Sequence, residues 1–449
     1  MRCSFLFVTI LVMTVVSSSF GSELEAGTNT GTDSTRLRVI ISSDFPPLDV
    51  CMSGCAADHT SDPDDVQEMV RFLLYTNDFD VEGLIASSAT FANIAKKQNI
   101  LDILDRYDSV YVNLKNHDSR YPTPDYLRSV TFQGRSGTWG KSVSNNIGSG
   151  KNSQASDSII SIVDKPDPRP VWFCFWGDCS NLAQAIWKVQ ITRNAADLQK
   201  FLSKIRIYQI AHQDDTIDWL FNNFPDLFII YSASTWQGMF GGSSDMLGNL
   251  RWLNTYIRQN HGPLGAVYPP AAMGVDGMKE GDSPSFLYLV SATHGMNNPE
   301  YPTQESWGGQ YVRSGITNHW VDGPGPLSVH KWESQYQAEF ALRADWMLPV
   351  TSVGESRSGQ RSNSFELEQN YPNPFNPETK IKYSLPKSSY ITLKVYNSLG
   401  QEVKTLFEGF RQPGDYTATF DGSGLSSGLY LYQMKAENFM DIKKTLLLK

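Results

Sequence analysis

The stretch SDPDDVQEMVRFLLYTND, residues 61–78, decides how this chain is read. From Asp64 to about Tyr75 its apolar residues recur at helical spacing, which predicts a helix with one buried face. Asp62, Asp64 and Asp65 crowd in directly ahead of that pattern. A helix N-terminus accounts for part of this, because its first N–H groups lack partners and the macrodipole is positive there. Asp62 then reads as the N-cap and Pro63 as the first helical residue. A third carboxylate adds like-charge repulsion unless a cation is present.

Working outward, LRVIISSD precedes the stretch and DVEGLIASS follows it. Then come a helix over ANIAKKQNILDILDRY, the run PVWFCFW, a helix over NLAQAIWKV, the run KIRIYQI, a helix over TIDWLFNNF and the run LFIIYS. Apolar strands, each followed by a helix, indicate an α/β fold: a mostly parallel sheet flanked by helices. Right-handed crossovers place every strand's C-terminal end on one edge, where open α/β sheets bind ligands. Asp44 ends the first strand, Asp178 follows PVWFCFW, Asp214 and Asp215 follow KIRIYQI, and Asp282 lies in MKEGDSPSF. Carboxylates gathering at one sheet edge suit a hard divalent ion that takes six to eight oxygens, Ca²⁺ before others. A polar segment, roughly 115–158, reads as a long surface loop or a lid.

The length of 449 residues suits one α/β domain with an appendage, and 40% hydrophobic residues can fill a sizeable core. A net charge of -9 without a basic run argues against a nucleic-acid polymer as partner. Residues 1–21, MRCSFLFVTILVMTVVSSSFG, read as a secretory signal peptide, and no other window approaches a transmembrane segment. Export puts Cys51, Cys55, Cys174 and Cys179 in an oxidising compartment. The local pairing, Cys51 with Cys55 and Cys174 with Cys179, is preferred over the other connectivities, with a structural zinc site as a weaker competitor.

Taken jointly, SSD at residues 42–44, DPDDVQEMVRFLLYTNDFDVEGLIASS, WGDCSNLAQAIW, QDDT, KEGDSPSFLYL and SWGGQY resemble the nucleoside hydrolase superfamily. The likeness is closer to its secreted nucleoside-hydrolase-like branch, some members of which are described as cellulose binding, and it covers about residues 37–346. The resemblance implies that Asp44 binds Ca²⁺ and serves as base for the attacking water. It makes Asp65 a bidentate metal ligand, the Trp176 backbone carbonyl and Asp282 the remaining ligands, and Asp64 a contact to sugar hydroxyls. Gln213, Asp214, Glu280 and Trp307 are expected to line the substrate. The chemistry implied is attack at an anomeric carbon through an oxocarbenium-like transition state.

Two departures stand out. PPLDVCMSGCAADHTSDP is inserted between Asp44 and Asp64, and Gly281 stands where the family commonly carries a His that assists the departing base. A leaving group that is not a base needs another acid to protonate the glycosidic oxygen, and Glu280, His212 and His294 are the candidates. Trp176 and Trp307 are candidates for stacking on a sugar.

After Trp346 the composition turns polar (linker 349–364), and short alternating segments then predict a small antiparallel β-sandwich over 365–449. All 11 Trp lie upstream of it. FELEQNYPNPFNPETKIKYSLP, LKVYNSLGQEV, SSGLYLYQM and KKTLLLK resemble the C-terminal sorting domain of type nine secretion. That resemblance implies an export address and passage through the periplasm and outer membrane to the cell surface or medium; a plain carbohydrate-binding or adhesive sandwich is the alternative. The expected whole is a catalytic domain over 36–348 that hydrolyses glycosyl bonds, N-glycosidic or related, with Ca²⁺. Its expected partners are a sugar-containing small molecule or polysaccharide and the secretion machinery. A non-catalytic carbohydrate-binding protein on the same fold is the alternative.

Overall fold

A strand covered on both faces is apolar at nearly every position, and β1 (Leu37–Ser43) is buried along almost its whole length. The computed structural model describes residues 36–49, 64–89, 93–240, 247–272, 274–349, 364–397, 400–436 and 439–448. The expected signal peptide, Cys51 and Cys55, Asp62 and Pro63, and nearly all of the linker lie outside the described residues.

After β1 come α1 (Asp65–Tyr75), β2 (Phe79–Ala86), α2 (Lys97–His117), α3 (Pro124–Ser129), β3 (Thr131–Gln133), α4 (Val143–Asn146) and α5 (Gln154–Val163). The chain continues through β4 (Val171–Phe175), α6 (Ser180–Thr192), α7 (Ala195–Ser203), β5 (Ile205–Ile210), α8 (Thr216–Asn223) and β6 (Phe228–Ser232). It then forms α9 (Leu250–Leu253), α10 (Gly262–Ala266), β7 (Ala271–Ala272), β8 (Val275–Asp276) and α11 (Ser283–Thr293). A short hairpin of β9 (Tyr311–Arg313) and β10 (His319–Asp322) precedes α12 (Leu327–His330) and α13 (Glu333–Asp345).

The main sheet has 8 strands in the order β3-β2-β1-β4-β5-β6-β10-β9, parallel throughout except for β9 against β10. Alternation along each strand sorts the core into two layers. Val39, Ile41, Trp172, Tyr208 and Ile230 face the layer that α1, α11 and α13 cover. Ile40, Phe173, Phe175, Ile207 and Ile229 face the layer under α5, α6 and α8. The strand order reverses between β1 and β4, and in doubly wound sheets that reversal opens a crevice at the strands' C-terminal ends.

Three expectations are corrected here. Segment 115–158 is no bare loop: α2 runs on to His117, and α3, the edge strand β3, α4 and the first half of α5 follow. Asp64, not Asp62, occupies the N-cap position of α1, and its side chain makes no capping bond. Cys174 and Cys179 are both free and buried. Cys174 points into the first core layer and Cys179 into the second, so the sheet separates them.

Beyond the linker, two antiparallel sheets face each other. One contains β11 (Glu366–Leu367), β12 (Glu378–Leu385) and β15 (Gly414–Asp421); the other contains β13 (Ser389–Asn397), β14 (Glu402–Arg411), β16 (Gly428–Ala436) and β17 (Phe439–Leu447). Ile381, Leu393, Val395, Phe420 and Tyr432 form their shared core. Among the described residues, no helix is long and apolar enough to cross a membrane.

Candidate functional site

Two helix N-termini and the end of β1 converge at the strand-order reversal. Asp44 follows β1 directly, Asp64 and Asp65 open α1, and Asp282 is the N-cap of α11. All are buried. Glu68 lies one turn after Asp65 on the same helix face, and Asp65, Glu68 and Asp282 each place a carboxylate oxygen within 4.8 Å of the others. The positive ends of both helices favour anions at this point, but that is a modest effect beside the cost of burying several carboxylates together.

The hydrogen bonds leave part of this charge uncompensated. Ser43 Oγ donates to Asp65 Oδ2, the Asp282 backbone N–H donates to Glu68 Oε1 (3.0 Å), and Lys279 Nζ donates to Asp64 Oδ2 (3.0 Å). Asp64 Oδ1, Asp65 Oδ1 and Glu68 Oε2 are buried with no hydrogen-bond partner. An all-oxygen donor set with orphaned carboxylate oxygens is what a hard divalent cation requires. The residues present therefore fit such an ion.

Burial, with the neighbouring Asp64 charge adding to it, pushes the Asp65 carboxyl up to about 7. Burial, and then the charges of its acidic neighbours, likewise raise Glu68 and Asp282 well above the usual carboxylate range. A carboxyl with a raised pKa holds an extra proton in the folded state, so the folded form loses stability as pH climbs from the unfolded value near 4 to about 7. Metal-stripped protein should therefore melt at progressively lower temperature across that window. A melting temperature flat or rising over the same range, by calorimetry, would contradict the burial of these groups.

β4 supplies the opposite wall. The backbone N–H groups of Trp176 and Gly177 donate to Ser42 O at 2.8 and 3.2 Å, so the turn after β4 lies against the end of β1. A Cβ at Gly177 would fall 2.7 Å from Ser87 Oγ and 3.0 Å from Asp44 Oδ1, and glycine lets the backbone pass that close. The Trp176 carbonyl accepts from Gln213 Nε2 at 2.8 Å and keeps a second lone pair. The Trp176 ring is buried, with Nε1 donating to Ser285 Oγ (3.0 Å), and does not present a stacking face.

Several expected substrate contacts are engaged elsewhere. Glu280 is fully buried: it pairs with Arg71 Nε and accepts from Tyr268 OH and from Ser283 Oγ at 2.7 Å. It anchors the loop that carries Lys279 and Asp282. Asp214 accepts from Thr216 Oγ1 (2.7 Å) and Asn146 Nδ2 (3.1 Å), and burial together with the Asp178 charge pushes it up to about 7. Asp178 is held by Thr138, Ser88 and Ser180, so these two aspartates form a neighbouring buried pair. Trp307 is a core residue packed against Tyr336, His294 and Phe410 of β14. His294 ends α11, about 18 Å of helix from Asp282, and His212 pairs with Asp218 on the exposed surface. Neither histidine stands at the acidic cluster. Glu68 was missed in the sequence; its signal was the three-residue spacing from Asp65.

An acidic oxygen-donor site at the reversal point of a doubly wound sheet defines a nucleoside-hydrolase-like protein. Residues 55–311 match the family described as cellulose-binding Sde182, nucleoside hydrolase-like domain, and the chain belongs to that family. Residues 369–449 match the secretion system C-terminal sorting domain. A solved structure of a nucleoside hydrolase-related hypothetical protein from Saccharophagus degradans, associated with carbohydrate metabolism, is 25% identical with a TM-score of 0.60, covering 92% of this chain and 99% of that one. A Cellulomonas fimi endo-beta-1,4-mannanase double mutant is 11% identical over 92% of this chain and 94% of that chain, with a TM-score of only 0.17, so the two do not share a fold. No curated protein matches the chain. The sorting tail marks the protein for export to the cell surface or beyond.

Proposed function

We propose that this exported protein is a Ca²⁺-dependent hydrolase of glycosyl bonds, N-glycosidic or related, acting on a sugar-containing small molecule or polysaccharide. The observation that carries the reading is the convergence of Asp44, Asp64, Asp65, Glu68 and Asp282 with orphaned oxygens among them. Asp65, Glu68, Asp282, Asp44 and the Trp176 carbonyl would hold the ion. When bound, Ca²⁺ neutralises the cluster and makes nearby water more acidic. Asp44, at the tip of β1, takes the proton from the attacking water as general base while the bond from the anomeric carbon to the leaving group breaks, and the leaving group takes its proton from solvent. Asp64, its Oδ2 fixed by Lys279, orients sugar hydroxyls. The buried walls of β1 and β4 exclude bulk water from the reacting centre.

A second reading is favoured by one feature: no acid occupies position 281, where a Cβ would meet the Trp236 ring at 3.0 Å and the Phe240 ring at 3.2 Å. On that reading the site binds carbohydrate without cleaving it, in keeping with the description of the family as cellulose-binding. The two are separated by screening nucleosides and plant oligosaccharides for released sugar, with Ca²⁺ present. Asp44→Asn should lower turnover by at least about 10²–10⁴-fold, the usual contribution of a general base, and should weaken Ca²⁺ binding as well, since one anionic ligand is lost. Saccharide binding by the parent with no sugar released from any of these compounds would favour the second reading.

A further inference from the structure

The C-terminal sandwich presents an edge that needs cover. β14 stands at the end of its sheet, paired with β13, and an open edge strand of 10 residues is a template for pairing with other chains. α13 of the larger domain lies alongside it. Phe410, near the end of β14, is half-buried and packs against the first core layer of the α/β domain. Its ring meets His294 at 5.1 Å and 69° and Trp307 at 5.9 Å and 80°, with Tyr390 of β13 on its other side at 5.3 Å. That socket is braced from α13. Trp307 Nε1 donates to Gln335 Oε1 (3.4 Å), and His294 Nε2 lies 3.4 Å from Glu339 Oε1. Two residues beyond Phe410, the Gln412 side chain hydrogen-bonds His117, which ends α2 and stacks on Trp346.

We propose that this face of the α/β domain, built from His294, Trp307, His117 and α13, is a docking surface for the sorting sandwich, with Phe410 as its anchor. The export address is then carried as a fixed module instead of on a loose tether. Edge-on aromatic contacts from two elements set the orientation of the ring as well as its affinity, as an anchor residue at an interface must. The linker 349–364 is short enough to keep the two halves at about millimolar effective concentration, so a modest interface suffices to hold them together. The dock sits at the end of α11 opposite Asp282, which places it apart from the acidic cluster.

The test reads hydrogen exchange and small-angle scattering on the full chain. Scattering from the parent should fit the docked arrangement. In Phe410→Ala the amides of β14 should exchange about tenfold or more faster, the scale of one lost buried ring, while Leu393 and Val395 in the sandwich core keep their rates. His294→Ala, which alters only the socket, should quicken the same β14 amides, and Phe410→Leu should retain most of the protection. Unchanged β14 exchange in both alanine variants, or parent scattering that requires two freely moving modules, would overturn the dock. So would faster exchange throughout the sandwich in Phe410→Ala with none in His294→Ala, because the ring would then support its own domain alone.

Discussion

Asp65→Asn is expected to abolish the stabilisation that Ca²⁺ confers on the parent. A ligand present at 100 times its dissociation constant, and absent from the unfolded chain, adds about 2.7 kcal/mol to unfolding free energy. The parent should show this gain and the variant none. Asp65 is the pivot because it opens α1, shares its carboxylate neighbourhood with Glu68 and Asp282, and keeps Oδ1 without a hydrogen-bond partner. The same substitution removes one of several mutually repelling buried charges. Metal-stripped Asp65→Asn should therefore be more stable than the metal-stripped parent near neutral pH, because part of the native fold's stability is given up to keep the cluster ionisable. A variant that titrates Ca²⁺ like the parent would show that the cluster is not the metal site.

The second large effect lies just behind the site. Arg71 and Glu280 are both fully buried, and Arg71 also donates to Gln337 Oε1 (2.7 Å) and lies 3.8 Å from the Phe340 ring centroid. Removing one partner of a buried pair strands the other charge, which costs about 3–5 kcal/mol. Arg71→Met should lower the urea midpoint accordingly without changing the slope. Adding Glu280→Gln should recover part of the loss, since the stranded charge is then gone. Loosening this anchor should also weaken Ca²⁺ binding, because the Glu280 loop carries Asp282. A shift of under 1 kcal/mol in Arg71→Met would mean that water reaches the pair.

The strands that were readable from residues alone, β1, β2, β4, β5 and β6, are those buried on both faces, where continuous apolar runs leave little alternative. β9 and β10 escaped because they are three- and four-residue strands of mixed polarity, below the length at which a period shows. The helices within 115–158 escaped because they are short and the polar residues between them double as caps: Thr123 accepts from the Tyr126 N–H and opens α3, and Ser153 accepts from the Ser156 N–H and opens α5. Of the site, the aspartates at strand ends and helix starts were readable because topology fixes such positions. The fates of Glu280, Trp307 and His294 were not, since a lone Glu, Trp or His carries no mark of which partner claims it. The expected Cys174–Cys179 bridge failed for a related reason. Closeness in sequence says nothing about side when a strand and the following turn point their residues to opposite layers.

That last arrangement bears on how the chain survives its journey out of the cell. Burial pushes the Cys174 thiol up to about 12 and raises Cys179 well above the usual thiol range, and Cys179 also touches Thr216 Oγ1 at 3.3 Å. Thiols held in that form are inert towards oxidants once the sheet has closed over them. Before closure they are two reactive sulfurs in a chain that carries 5 cysteines. Folding ahead of oxidation is therefore what keeps these two thiols out of reach, and a chain oxidised first is expected to form bridges that the closed sheet forbids.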